Sequence, residues 1–184
     1  MLQIRGSIAL SDFRKQKVLD QLAPVLPGVI ALDAHFIHLV DLESDESLDQ
    51  ESLQVLHSLL DYGHGVGKPT PPGRYSLQRI SAPRIGTISP WATKATDIVH
   101  HCGLHSVRRV ERGIHWQLFS EHSIDESRGS VLDTLFQGIL FDPMTESLLH
   151  DASAAEHLFD DTEPAPLMQI DILGGGRKSV SYTH

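Results

Sequence analysis

The sequence predicts an α+β domain of two layers, in which one sheet carries helices on one face. Segments with apolar residues at every second position alternate with segments whose apolar residues recur every three or four positions, and this order continues through residue 150. Helices packed on a sheet are the economical way to bury both kinds of apolar face. The loops between the segments are long enough for antiparallel or parallel pairing of the strands.

The best candidate for a strand is Val29–Leu42. Apolar side chains alternate through its first half, at Ile30, Leu32, Ala34 and Phe36. Ile37, Leu39 and Val40 break the alternation, which predicts that the second half is bulged or covered on both faces. The other predicted strands are residues 2–6, a long segment through Tyr75, Leu77 and Ile80, residues 107–119 and residues 145–149.

The clearest predicted helix begins after Ser89, which is a favourable N-cap, and has Pro90 at its first helical position. Gly103 is expected to end this helix in the left-handed conformation. Its predicted buried stripe consists of Trp91, Ala95, Ile98 and Cys102.

Three further helices are predicted from apolar stripes. One opens at Ser11 and Asp12, a second follows a capping box of Ser47 and Gln50, and a third covers residues 125–138. Their predicted buried stripes are Val18, Leu19, Leu22 and Leu26; Leu53, Leu56 and Leu60; and Leu132, Leu135, Phe136 and Ile139.

The composition of the chain changes at residue 151. Residues 160–166 are acidic and contain two prolines, and a short apolar stretch then leads to Gly174-Gly175-Gly176-Arg177. We therefore predict one domain at residues 1–150, followed at residues 151–184 by a linker and the truncated start of a second domain.

Composition and charge narrow the class of protein. The 184 residues are 40% apolar and 21% charged, as in ordinary globular proteins, and the formal net charge is −9. An acidic chain is a poor partner for nucleic acid or for anionic membranes. The single cysteine, Cys102, allows no internal disulfide and favours a reducing compartment. With no signal-like N-terminus and no long apolar run, the sequence predicts a cytoplasmic protein.

The densest group of metal-ligand residue types is His100, His101, Cys102 and His105. A stand-alone metal-binding module built on these residues is one hypothesis for the function. Against it, Cys102 is expected on the buried face of its helix while His101 points away, so the ligands are divided between two faces. A catalytic role for Cys102 is also disfavoured, because the dipole at a helix C-terminus raises a thiol pKa.

Two further motifs carry little weight. Residues 63–68 are too short for a Walker phosphate loop, and Pro69 prevents a helix from following directly. Asp142 and Glu146 are spaced as in many ordinary turns. Physical reasoning alone finds no convincing catalytic group, which points to a structural or interaction role.

The block from Gly86 to Ile98, Gly-Thr-Ile-Ser-Pro-Trp-Ala-Thr-Lys-Ala-Thr-Asp-Ile, resembles one near the start of large single-chain phosphoribosylformylglycinamidine synthases, the FGAR amidotransferases. Further similar segments follow the family order, and the likeness extends over essentially the whole chain. These segments are residues 2–10, Cys102-Gly103-Leu104, Val110-Glu111-Arg112-Gly113, Asp142-Pro143-Met144-Thr145-Glu146 and Ile170-Asp171-Ile172-Leu173-Gly174 with Gly176-Arg177.

The resemblance implies a mostly antiparallel sheet, similar to a fused dimer of the small subunit of multi-subunit forms of the enzyme. It implies a scaffold domain that bridges the glutaminase and synthetase regions and supports ammonia transfer between them. A helical linker domain would begin near the end of the chain. The glutaminase nucleophile and the ATP and Mg²⁺ sites belong to regions of the family beyond these residues. We therefore expect no cofactor in this chain and no activity from it alone.

Residues in and before the Ser89 helix are candidates for contact with the partner regions or with substrate. Arg84 and Lys94 have the side-chain chemistry to lie near an anionic substrate. Self-association of the chain and an inactive, orphaned gene fragment are the remaining alternatives. The candidate residues are Arg84, Ser89, Trp91, Lys94, Thr96 and Asp97.

Overall fold

The computed structural model describes residues 1–43, 48–63, 74–125, 129–151, 153–160 and 172–175. The strands are β1 (Leu2–Ile8), β2 (Val29–Leu42), β3 (Tyr75–Pro83), β4 (Val107–Ser120) and β5 (Glu146–Leu149). The helices are α1 (Asp12–Leu22), α2 (Gln50–Leu60), α3 (Pro90–His101), α4 (Gly129–Phe136) and the short α5 (Ile172–Gly175), with a 3₁₀ helix at Ala154–Phe159.

The strands form one sheet in the order β1-β2-β4-β3-β5, and every neighbouring pair is antiparallel. The central pair joins β2 to β4 from Val29 opposite Ser120 to Leu42 opposite Val107. The register shifts near both ends of β2, between Val29 and Ala31 and between Asp41 and Leu42. The predicted bounds of β2 and the mostly antiparallel sheet are therefore confirmed.

The four longer helices pack on one face of the sheet, as predicted. Near one end, α1 and α4 bury Leu22 and Phe136 against Leu32 and Leu118. Near the other end, α2 and α3 bury Leu56 and Val99 in a second cluster with strand residues that include Val40 and Val110. Because side chains alternate along a strand, Leu32 and Val40 project from the same face of β2.

The opposite face of the sheet is covered only in part by the described residues. Ile37 and Leu39 of β2 pack there against Leu158 and Phe159 of the 3₁₀ helix. The second half of β2 is thus covered on both faces, which confirms the expectation from its broken alternation. Residues 154–159, which the sequence assigned to the linker, pack against the sheet.

The order strand, helix, strand, helix occurs twice along the chain. The elements α1, β2 and α2 begin at residues 12, 29 and 50, and α3, β4 and α4 begin at 90, 107 and 129. The spacing between counterparts is therefore 78 or 79 residues. The N-caps Ser11 and Ser89 have the same spacing.

The predicted buried stripe of α3 is wrong in part. Trp91 and Ala95 do pack against the core, but the buried helix residues are Ala92 and Val99. Ile98 is 55% exposed and Cys102 is also exposed. Hydrogen bonds from α3 to β4, described below, rotate the helix away from the face that its apolar residues alone suggest.

Several helix ends also differ from the prediction. The N-cap of α2 is Asp49, whose side chain accepts a hydrogen bond from the backbone N–H of Ser52 at 2.8 Å, while Ser47 lies outside the described residues. Helix α1 ends at Leu22, so Leu26 follows it, and α4 begins at Gly129. At the end of α3, Gly103 has φ of 87°, the left-handed conformation that was predicted.

Phe136 is fully buried between α4 and the sheet, so Phe136→Ala should lower the free energy of unfolding by about 3–5 kcal/mol. Val131→Ala on the same helix is the control, because Val131 is 46% exposed. Urea unfolding followed by circular dichroism measures both changes. A loss at residue 136 no larger than at residue 131 would contradict the assigned core.

Candidate functional site

The candidate residues of the sequence analysis lie in α3 and in the loop before it. Ser89 is the N-cap of α3, and Trp91, Lys94, Thr96 and Asp97 lie within the helix. Arg84 follows β3 directly. Their side chains have different surroundings, which divide them into residues that hold the helix and residues that face outward.

Ser89 is held by a buried carboxylate. Glu111 of β4 is fully buried, and its two carboxylate oxygens accept from the Ser89 backbone N–H at 3.2 Å and from Ser89 Oγ at 2.8 Å. Ser89 Oγ in turn accepts from the Ala92 N–H at 3.0 Å. A buried charge needs such partners, so these bonds fix the start of α3 on β4.

Arg109 completes this network and extends it to the end of the domain. Its Nη2 lies 3.0 Å from Glu111 Oε1 and donates at 3.0 Å to the carbonyls of Thr87 and Leu158. The guanidinium also lies over the Phe159 ring, 5.0 Å from its centroid. One side chain therefore joins the loop before α3 to the 3₁₀ helix.

Thr96 and His100 attach the middle and end of α3 to the start of β4. Thr96 Oγ1 accepts from the Val110 backbone N–H at 3.1 Å. His100 Nε2 lies 2.6 Å from the Val107 carbonyl oxygen. These polar contacts explain the rotation of α3, and they give Thr96 a structural role.

Trp91 belongs to an aromatic and cationic cluster. Its ring stacks on His38 with centroids 5.7 Å apart, and the Arg112 guanidinium lies 4.8 Å from its centroid. The Tyr62 hydroxyl lies 2.8 Å from His38 Nε2 and accepts from Arg112 at 3.3 Å. The sequence analysis missed His38, although a histidine within the long apolar run of β2 was a signal for it.

His38 is fully buried, and this burial, with the Arg112 charge beside it, lowers its pKa from 6.5 to about 4. The ring is therefore neutral in the folded protein at neutral pH. A neutral ring can stack on Trp91 close to Arg112 without repelling the guanidinium.

Lys94 and Asp97 face outward from the fixed helix, beside the exposed Ile98. Helices α2 and α3 enclose an apolar cleft of about 310 Å³ on this side. Lys94 is the charged residue of its lining, which consists of Leu59, Leu60, Tyr62, Trp91, Lys94, Ala95, Ile98 and Val99. Arg84 is exposed and outside this lining, and its backbone N–H donates to the Thr145 carbonyl at 3.1 Å.

The histidine and cysteine cluster is not assembled as a metal site. His101 Nδ1 lies 2.6 Å from the Asp97 carbonyl oxygen, and His100 contacts Val107 as described. The described residues include no group of three or more histidine, cysteine or acidic side chains placed to hold a metal ion. The expectation that Cys102 is buried is wrong, because the residue lies at the C-cap of α3, beyond the face that packs on β4.

The remaining motifs do not add to the site. Asp142 and Glu146 bond within one turn, where the Asp142 N–H donates to Glu146 Oε2 at 2.9 Å. Of the glycine-rich residues 63–68, those from 64 onward lie outside the described residues. In the described parts of the chain, no helix is both long and apolar enough to cross a membrane.

The depressed pKa of His38 predicts a loss of stability in acid. Between pH 6.5 and about 4 the unfolded chain binds a proton at residue 38 while the folded protein does not, so the free energy of unfolding falls with pH. The contribution of this residue is about 3 kcal/mol. His38→Gln should reduce the pH dependence measured by urea unfolding, and His101→Gln, at an exposed histidine, is the control. Equal pH dependence in the two variants would contradict the assignment.

Comparison with known protein families bears on the whole site. The family described as formylglycinamide ribonucleotide amidotransferase N-terminal matches residues 35–159, which is more than half of the chain. The match begins within β2, includes α3 and Glu111, and ends with the 3₁₀ helix. It confirms the resemblance carried by the block at residues 86–98. The chain therefore belongs to the family of N-terminal domains of formylglycinamide ribonucleotide amidotransferase, an enzyme of purine biosynthesis.

Proposed function

We propose that this chain is the non-catalytic N-terminal domain of a phosphoribosylformylglycinamidine synthase. The complete enzyme makes formylglycinamidine ribonucleotide from formylglycinamide ribonucleotide, glutamine and ATP. In this proposal the domain bridges the glutaminase and synthetase regions and supports ammonia transfer between them. ATP and Mg²⁺ are bound by those other regions, and the enzyme acts in the cytoplasm.

The observation that carries the proposal is the outer surface of α3. The helix is fixed to β4 by the bonds of Ser89, Thr96 and His100, so its outward side chains are held in defined positions. Pre-positioned side chains lose little conformational entropy when a partner binds. We assign Lys94, Asp97 and Ile98 to a docking surface on this helix.

The cleft beside this surface has the chemistry of a docking pocket. Trp91 and Tyr62 form part of its wall, and tryptophan and tyrosine are enriched among the residues that dominate binding energy at interfaces. Its volume of about 310 Å³ accommodates an apolar side chain of a partner region. Lys94 at the same cleft favours a neighbouring carboxylate on that partner.

The repeated order of elements supports descent from a dimer of a smaller subunit. Counterpart elements recur at a spacing of 78 or 79 residues, and β2 and β4 pair at the centre of the sheet. In such an arrangement each half supplies two helices to the same face. An exposed docking surface without its partner also favours self-association of the isolated chain.

Reconstitution tests the proposal. The 184-residue chain should show no glutaminase activity and no ATP-dependent amidation by itself. Added to the separately produced glutaminase and synthetase regions, it should restore glutamine-dependent formation of formylglycinamidine ribonucleotide. Turnover by the chain alone, or no effect of adding it, would contradict the proposal.

The α3 surface is tested by Ile98→Asp, which places a charge beside the apolar cleft. This change should weaken binding to the remaining regions of the enzyme by about tenfold or more in calorimetry. Val131→Asp is the matched control, because residue 131 is similarly exposed but lies on α4. Equal binding by the two variants would place the docking surface elsewhere.

A further inference from the structure

The face of the sheet opposite α1–α4 contains a cavity that the proposed docking surface does not use. The 3₁₀ helix covers part of this face, and a concave region of about 310 Å³ lies beside it. Its lining comes from four strands and from the residues after β5. The polar side chains used below are Gln3, Arg5, His35, Gln78, His115 and His150.

Two imidazole rings lie at the centre of this region. His35 and His115 are directly opposite each other across the β2–β4 pair, with ring centroids 4.7 Å apart. Only 9% of His35 is exposed. The Nδ1 atoms of both rings are buried and make no hydrogen bond within the described structure. Buried polar atoms almost always have a partner, so this pair indicates a ligand.

The charges around the two rings favour an anion. The Arg5 guanidinium is 71% exposed and lies 3.6 Å from Asp33 Oδ2, while the buried Lys15 donates to Asp33 Oδ1 at 3.1 Å. Two cations thus share one carboxylate, which leaves positive charge beside His35 and His115.

The acidic groups at the other end of the cavity already have partners. Asp133 lies 3.2 Å from His150 Nε2 and 3.4 Å from Arg79 Nε. Asp151 accepts hydrogen bonds from the N–H groups of Ser153 and Ala154 at the start of the 3₁₀ helix. These carboxylates therefore do not compete strongly with an anion at the two central rings.

The repeat within the chain shows that the region is polar for a reason other than chance exposure. In the covered part of this face, β2 presents Ile37 and Leu39 to the 3₁₀ helix. The residues 78 positions later are His115 and Gln117 of β4. An apolar covering segment suits Ile37 and Leu39 but not their counterparts, and a polar ligand suits the counterparts.

We propose that this cavity binds a small oxyanion, a phosphate or a carboxylate, through Arg5, His35 and His115. The guanidinium supplies paired N–H donors that match the oxygens of either group. The imidazoles supply further donors, including the Nδ1 positions that now have no partner. This site is separate from the α3 surface and does not depend on its role.

Binding should be linked to proton uptake. Burial first, and then the Arg5 charge, lower the pKa of His35 to about 4 and also lower that of His115. A bound anion offsets the Arg5 charge and stabilises the imidazolium form, so affinity should increase as the pH falls. Lys15, Asp33, Arg79, Asp133, His150 and Asp151 are the other charged or titratable groups around the cavity, and they are the same in every variant below.

The experiment titrates the full 184-residue chain with inorganic phosphate and with malonate, at constant ionic strength, and follows the imidazole signals by NMR. The His35 and His115 signals should shift and saturate, and the probe that binds more tightly identifies the oxyanion class. Arg5→Gln should weaken that binding by about tenfold or more. Arg14→Gln, an exposed arginine on α1, is the matched control.

Sulfate provides the pH measurement, because its charge stays constant across this range, and it should bind more tightly at about pH 6 than at about pH 8. His115→Gln should reduce this pH dependence and serves as a second variant. The proposal is overturned if neither phosphate nor malonate shifts the two signals. It is also overturned if Arg5→Gln and Arg14→Gln bind the probes equally, or if sulfate binding is independent of pH.

Discussion

The buried carboxylate of Glu111 is the contact on which the position of α3 depends. It lies on a central strand, receives both polar groups of Ser89, and is neutralised by Arg109. Arg109 carries the same network to Thr87 and to the 3₁₀ helix. A buried carboxylate without these partners would be strongly unfavourable, so the loop, the helix and the last segment of the domain are positioned together.

The same device appears in the first half of the chain in a weaker form. Asp33 precedes Glu111 by 78 residues and accepts a hydrogen bond from Lys15 of α1. Each central strand therefore carries an acidic residue that binds the helix before it. The carboxylate of Asp33 is partly exposed and lies beside the open cavity, whereas Glu111 is sealed by the 3₁₀ helix. One half of this sheet face is thus closed and the other remains open to a ligand.

The elements that the sequence predicted well are those with strong local signals. The bounds of β2 follow from its period-two pattern and from Pro27-Gly28 before it, and the start of α3 follows from Ser89 and Pro90. The buried face of α3 was predicted wrongly because long-range bonds to β4 outweigh apolar spacing, which leaves Ile98 exposed.

The missed residues of the site depend on partners that are distant in the chain. The role of His38 requires Tyr62, Trp91 and Arg112 around it, and pairing of His35 with His115 requires the exact strand register. The family resemblance located the correct helix, yet only the packing separates Ser89 and Thr96, which hold it, from Lys94 and Asp97, which face outward.

The most direct measurement of this account is amide hydrogen exchange in Glu111→Gln. The substitution keeps the side-chain volume, removes the charge that pairs with Arg109 and weakens the bonds to Ser89. The account predicts faster exchange in the first turn of α3 and in the 3₁₀ helix, with exchange in α1 unchanged. Unchanged exchange in α3, or equally faster exchange in α1 and α3, would contradict the central role of Glu111.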